Sequence, residues 1–140
     1  MVTHRKETYS DERAYLYDII MKNKLDIQDS ALNLAQAAFD KKGTDIKILD
    51  METVSFMSDY FLIATASNNK QSQSIADEIE DKAALEGLTV LHREGYREGE
   101  WILLDFGDII CHVFGNDESR RFYGLEQLWS DAIEVEFEGV

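Results

Sequence analysis

The stretch from Tyr60 to Ala66 is apolar at nearly every position, and this feature constrains the fold more than any other. A strand with one face in water alternates apolar and polar residues, so an unbroken apolar run of this length indicates a strand covered on both faces. Such a strand needs a further layer of structure on each side of its sheet. The run is far too short to span a bilayer, so no membrane partner is expected.

Segments with helix and strand patterns flank this run. Helical spacing predicts helices around residues 31–39, 70–86 and 117–129, and strands are predicted around residues 45–48, 88–92, 101–105 and 109–114. Phe106-Gly107-Asp108 is typical of a tight turn that joins the last two strands as a hairpin, because glycine adopts positive φ without strain. This order predicts a single α/β (α+β) domain with a mixed β-sheet and flanking helices.

The two ends of the chain have their own patterns. Residues 1–25 form a candidate N-terminal extension with a separate helix, indicated by Ser10 as N-cap and an apolar stripe of Tyr15, Leu16, Ile19 and Ile20. The next helix would begin at a cap on Asp26 or Asp29. The domain would occupy residues 26–132, with Phe122, Leu125 and Trp129 as the inner stripe of its last helix. Residues 133–140 are expected to form a loose acidic tail.

Charge is the first indication of function. The chain has 14 basic and 28 acidic residues, a net charge of −14, which repels nucleic acid and attracts basic proteins. Nucleic acid is therefore not expected as the main contact, although the charge could equally serve solubility alone. The basic start of the chain has no apolar run after it, and there is one cysteine, so a cytoplasmic location without disulfides is expected.

Polar groups that could carry chemistry gather at the predicted hairpin. Asp105, Asp108 and His112 could bind a metal or transfer protons. The alternative is that the two aspartates bond their own turn and that His112 is a hydrogen-bonded residue of the sheet. A glycine turn separates the two carboxylates, whereas a nucleotidyl-transfer site needs both on one strand. Because no catalytic or phosphate-binding motif is present, the sequence predicts neither an enzyme nor a metal or cofactor.

Aromatic residues favour protein binding. Trp101 starts a predicted strand beside a charged loop, where it could lie in the core or form an exposed anchor with an acidic rim of Asp105 and Asp108. Tyr123 lies on the last predicted helix, and the helical stripe indicates a core position for Trp129.

Three blocks of the sequence resemble a known family. They are SDYFLIAT at residues 58–65, WILLDFGDIICHVF at residues 101–114 and ESRRFYGLEQLW at residues 118–129. In this order they are similar to the Iojap-like ribosomal silencing factor family, and the likeness covers roughly residues 26–132.

The resemblance implies a fold and a role. The fold would be similar to a nucleotidyltransferase scaffold that lacks the catalytic site. Such proteins bind ribosomal protein L-fourteen of the large subunit, block joining of the small subunit and repress translation, and several form homodimers. The implied binding residues at matching positions are Trp101, Asp105, Asp108, His112, Tyr123 and Glu126. The alternatives are a factor that assists assembly of the large subunit and a metal-dependent nucleotidyltransferase-like enzyme.

Overall fold

A computed structural model describes residues 12–55 and 58–140, which form one mixed six-stranded sheet with helices. The elements are α1 (Glu12–Asp40), β1 (Thr44–Asp50), β2 (Tyr60–Thr65), α2 (Asn69–Leu85), β3 (His92–Glu94), β4 (Trp101–Asp105), β5 (Ile109–Phe114), α3 (Asp117–Tyr123), α4 (Leu125–Leu128) and β6 (Ile133–Val135). The strand order is β3-β4-β5-β2-β1-β6. Only β2 and β5 run parallel among these pairs, so the predicted mixed sheet with flanking helices is confirmed.

The central strand is β2, and all six of its residues are buried. Leu62 and its alternate neighbours face the layer of α1 and α2, while Phe61 and Ile63 face the opposite side of the sheet. The apolar run therefore serves two separate hydrophobic clusters, as the sequence predicted.

Helices α1 and α2 cover one face of the sheet. The buried positions of α1 are mostly alanines (Ala31, Ala35, Ala38), and those of α2 include Ile75 and Ile79. Small side chains allow α1 to approach the sheet closely. The Asn68 side chain accepts a hydrogen bond from the Gln71 amide at 2.8 Å and caps α2 where the sequence predicted it.

A thinner layer covers the opposite face. The predicted last helix is divided at Gly124, which has a φ of 60° in the left-handed region and ends α3 at Tyr123. The predicted inner position of Phe122 is wrong, because the buried residues of α3 are Ser119 and Arg120, and the Phe122 side chain is 82% exposed. Trp129 does pack inward, and its ring meets Phe61 edge-on at 6.1 Å.

The N-terminal half of the chain differs from the prediction of two helices. A single helix, α1, runs from Glu12 to Asp40, and Asp26 and Asp29 lie within it. No glycine or proline interrupts residues 12–40, so the helical backbone continues past these two weak cap signals. Ser10 lies outside the described residues.

The C-terminal segment is not a loose tail. Ile133–Val135 forms β6, which pairs antiparallel with β1, and Phe137 packs on the main core. Alternating apolar residues of the tail thus complete the sheet edge. The strand predicted at residues 88–92 is instead His92–Glu94, because its register is set by pairing with β4. No helix in the described ranges is long and apolar enough to cross a membrane.

Candidate protein-binding surface

The hairpin of β4 and β5 places most of the predicted site residues on one face. Its register pairs Trp101 with Phe114, Leu103 with His112, and Asp105 with Ile110. Since side chains alternate along a strand, these residues lie on the face opposite α1 and α2.

The sequence left open whether Trp101 is a core residue or an exposed anchor. In the structure it is neither fully enclosed nor freely exposed. Its ring is half-buried, stacks on Phe114 at a centroid distance of 5.3 Å and contacts Tyr123 at 4.5 Å. Its indole Nε1–H donates a hydrogen bond to His112 Nδ1 at 3.1 Å. The neighbours on three sides therefore fix the indole in one orientation.

His112, which accepts this hydrogen bond, is a buried residue of β5. It is only 3% exposed, and its ring lies 4.8 Å from the Phe61 ring. Because Nδ1 accepts the indole hydrogen bond, the neutral ring carries its proton on Nε2, which has no hydrogen-bond partner in the described part of the chain. Burial lowers the pKa of His112 to about 4. The arrangement is that of a hydrogen-bonded sheet histidine.

Acidification should destabilise the domain through His112. Its pKa falls from the ordinary 6.5 to about 4 in the folded state, so the unfolded chain takes up the proton first. Above pH 6.5 the neutral ring makes its full contribution to the free energy of unfolding. About 3 kcal/mol of this contribution is lost as the pH falls to 4. Urea unfolding of wild type and His112→Gln between pH 4 and 7 measures this.

The glutamine retains an acceptor for the indole but does not titrate in this range. The variant should therefore lose less stability on acidification than the wild type. Parallel pH profiles for the two proteins would contradict the assignment.

The two aspartates lie at the far end of the hairpin from Trp101. Asp105 Oδ1 accepts a hydrogen bond from the Gly107 amide at 2.7 Å, and Gly107 has a φ of 88°. Asp108 is exposed. The length of β4 separates Asp105 from Trp101 by roughly 13 Å. The predicted acidic rim of Asp105 and Asp108 around Trp101 is therefore wrong, because Asp105 ends β4 and Asp108 lies in the turn that follows it.

A different set of residues surrounds Trp101. Tyr123 is 41% exposed, and its ring meets Phe122 edge-on at 5.2 Å. We call Trp101, Phe122 and Tyr123 the aromatic surface. A depression beside it is lined by Phe122 and by the carboxylates of Glu100 and Glu118. Sequence reasoning placed Phe122 inside because it treated residues 117–129 as one helix, although Gly124 was an available signal that the helix ends there.

Glu126 belongs to an ion-pair network around the buried Arg120. Arg120 is 5% exposed, and its Nε donates to Glu126 Oε1 at 2.7 Å while Nη1 donates to Thr65 Oγ1 at 2.8 Å. Lys47 Nζ lies 3.0 Å from Glu126 Oε2. Hydrogen bonding to Arg120, followed by that to Lys47, lowers the pKa of Glu126 despite its partial burial. The pattern of the sequence did not indicate that Arg120 would be buried.

No group of three or more His, Cys, Asp or Glu side chains in the described ranges could hold a metal ion. The carboxylate of Asp105 is engaged by its turn, and the thiol of Cys111 is buried, which raises its pKa. The face of the β4–β5 hairpin does carry exposed aromatic side chains beside carboxylates. The fold and this surface define a mixed-sheet α/β domain with exposed aromatic side chains beside carboxylates, a composition that protein interfaces favour.

Comparison with known proteins identifies the family. The family model for "Ribosomal silencing factor during starvation" matches residues 24–140. A ribosomal silencing factor from Bacillus subtilis (strain 168) is 49% identical over 106 residues, which cover 75% of this chain and 89% of that protein. The chain therefore belongs to the ribosomal silencing factor family, as its three sequence blocks indicated.

Solved structures show the same fold. A crystal structure of a protein from Chromobacterium violaceum has a TM-score of 0.72 and 30% identity, covering 81% of this chain and 93% of that one. Another from Bacillus halodurans has a TM-score of 0.66 and 36% identity, covering 79% of this chain and 97% of that one.

Proposed function

We propose that this protein binds the large ribosomal subunit through ribosomal protein L-fourteen and sterically blocks joining of the small subunit, which represses translation in the cytoplasm. Membership of the ribosomal silencing factor family is the observation that carries this proposal. The action needs one bound domain and no turnover, so we propose that the protein is not an enzyme and uses no cofactor.

Charge supports a basic protein as the partner. The net charge of −14 disfavours direct contact with the phosphates of ribosomal RNA and favours a positively charged protein patch. Glu100 and Glu118 would supply the acidic rim of the interface, and the exposed Asp108 would add to the attraction from the turn.

The predicted binding residues divide into two roles in this proposal. Trp101 and Tyr123 contact the partner, and Phe122 joins them because it is the most exposed of the three rings. His112, Asp105 and Glu126 act as positioning residues, since their polar groups bond to Trp101, to the turn and to Arg120 respectively.

A subunit-joining assay tests the function. Purified mature large subunits are saturated with the protein, small subunits are added, and joined particles are separated by sedimentation. We expect the protein to sediment with large subunits and joined particles to be depleted. Normal joining with the protein still bound would refute silencing and favour the assembly-factor alternative. Absence of the protein from the large-subunit fraction would refute both.

The aromatic surface has its own prediction. Phe122→Ala and Tyr123→Ala should each weaken binding to the large subunit about tenfold or more, because truncating an aromatic anchor removes contact area at the interface. Binding is measured by co-sedimentation with large subunits at a series of protein concentrations.

The matched control is Leu85→Ala, which removes another highly exposed apolar side chain, at the end of α2. It should bind as the wild type does. Leu85→Ala and Phe122→Ala should retain the wild-type melting temperature, whereas Tyr123→Ala should lower it, because it removes the ring contact with Trp101. Unchanged affinity of both aromatic variants would show that the interface lies elsewhere.

A further inference from the structure

Helix α1 and the segment between β1 and β2 enclose a groove with a volume of about 320 Å³. Ile20, Met21 and Ile27 of the helix form an apolar wall. The segment between the two strands contributes two carboxylates, those of Glu52 and Asp59. We call these five residues the α1 groove. It therefore combines apolar area with negative charge.

The apolar wall is open in the described part of the chain. Ile27 is the first described side chain of α1 that packs on the main core, so the helix before it extends past that core. Ile20 is 64% exposed and Met21 is 37% exposed. Isolated exposed apolar residues are common on proteins, whereas neighbours that line one concave surface offer an area that a partner can cover.

Negative charge exceeds positive charge at the groove. Lys24 Nζ lies 3.2 Å from Asp50 Oδ2 and also bonds to the carboxylate of Glu52, so this ammonium group is already engaged. The carboxylate of Asp59 has no hydrogen-bond or ion-pair partner within the described ranges. The cation that would balance Asp59 is therefore not supplied by the described residues around the groove.

Asp59 is half-buried, and a second carboxylate lies near it. The backbone N–H of Asp59 donates to the carbonyl oxygen of Asp108 at 3.0 Å, which fixes the two aspartates relative to each other. Burial, followed by the charges of Asp108 and Glu52, raises the pKa of Asp59. An ion pair with a carboxylate that water solvates only in part is stronger than one on an open surface.

The α1 groove and the aromatic surface lie at opposite ends of the sheet. Asp59 directly precedes β2, whose first residue, Tyr60, pairs with Ile109 at the start of β5. Phe114, on which Trp101 stacks, ends β5 and is roughly 17 Å away along that strand. Helix α1 also packs on the face of the sheet opposite Trp101. A contact at the groove would thus be separate from one at the aromatic surface.

We infer that the α1 groove is a docking site for a basic segment of a partner protein. An apolar side chain of that segment packs on Ile20 and Met21, while an adjacent lysine or arginine pairs with Asp59. The apolar wall favours a peptide over a simple cation, and the excess of carboxylates favours a basic peptide while repelling the phosphates of nucleic acid. The inference does not depend on the proposed function, because the aromatic surface takes no part in it.

A short fluorescent peptide that interleaves leucine, lysine and serine tests the inference on the full chain. Fluorescence anisotropy should show saturable binding of this peptide with a dissociation constant on the order of 10 to 100 μM. A second peptide with serine in place of every leucine keeps the charge but lacks the apolar contact, so it should bind about tenfold more weakly. Equal affinity for the two peptides would reduce the binding to attraction between opposite net charges and would overturn the inference.

Substitutions locate the site. Asp59→Asn and Ile20→Ser should each raise the dissociation constant of the leucine-containing peptide about fivefold or more. The matched controls are Glu98→Gln, which removes an exposed carboxylate from another loop, and Leu85→Ser, which removes an exposed apolar side chain from α2. Both controls should bind as the wild type does. Asp59→Asn should not lower the melting temperature, because it removes a charge that burial and neighbouring carboxylates disfavour. Groove variants that bind as well as the controls would refute the site.

Nuclear magnetic resonance of the isotope-labelled full chain identifies the occupied surface directly. The amide signals of Ile20, Met21 and Glu52 should shift during titration with the peptide, and those of the aromatic surface should not. Shifts confined to the aromatic surface would overturn the inference. Groove signals that shift when only the protein concentration is raised would show that a second copy covers the groove, which would also overturn it. Failure of silencing in the subunit-joining assay would leave these peptide measurements unchanged.

Discussion

Replacing Trp101 with alanine is expected to lower the free energy of unfolding by about 3 kcal/mol. The indole stacks on Phe114 and contacts Tyr123, and its removal leaves a gap between β4 and α3. The substitution also leaves Nδ1 of the buried His112 without its donor. An unsatisfied buried acceptor adds about 1 to 3 kcal/mol to the cost.

Urea unfolding monitored by circular dichroism measures this change. Trp101→Phe is the control, because it retains most of the ring contacts and removes only the N–H donor. It should cost about 1 to 2 kcal/mol. If Trp101→Ala leaves stability within about 0.5 kcal/mol of the wild type, the indole is a free surface group and not part of the layer under α3.

Replacing Arg120 with methionine should be at least as damaging, with a loss of about 3 to 5 kcal/mol. Arg120 bonds to Glu126 on α4 and to Thr65 on β2, and it is almost entirely buried. Methionine fills much of the volume but leaves the partly buried carboxylate of Glu126 with only Lys47. The segment that carries the aromatic surface would then lose its main polar link to the sheet.

A double-mutant cycle separates this ion pair from packing. Arg120→Met should be partly rescued by Glu126→Gln, because the second substitution removes the charge that lacks a partner. The measurement is again urea unfolding of the wild type, both single variants and the double variant. Strictly additive effects of the two substitutions would mean that Arg120 and Glu126 do not act as a pair.

These two predictions affect how binding experiments should be designed. Trp101, itself part of the aromatic surface, and Arg120 both make internal contacts that hold this surface in place, so their removal would change binding and stability together. Phe122 is exposed and has no hydrogen bond to lose, so its substitution reports on the interface alone. A loss of affinity in Phe122→Ala without a loss of stability is the cleaner indication of contact.

Local signals in the sequence predicted most of the fold. The apolar run from Tyr60 to Ala66 identified the central strand, which ends one residue earlier at Thr65, and Asn68 marked the start of α2. The alternation on both sides of Gly107 predicted β4 and β5 with their correct bounds. These signals depend on residues close together in the chain, because strand alternation and helix caps are local properties of the backbone.

Contacts between segments distant in the chain determined the features that the sequence analysis predicted wrongly. Ile133–Val135 is a strand because β1 offers it an open edge, and β3 begins at His92 because β4 sets its register. The burial of Arg120 between β2 and α4 depends in the same way on elements distant in the chain.

The sequence by itself determined the class of the fold, the family and the acidic charge, since each follows from residue types and their spacing. Only the tertiary structure decided which aromatic rings face outward, which carboxylates are already engaged and where α1 leaves the domain. Those properties depend on what each side chain meets across the sheet, and a one-dimensional pattern records which side chains are apolar without recording what covers them.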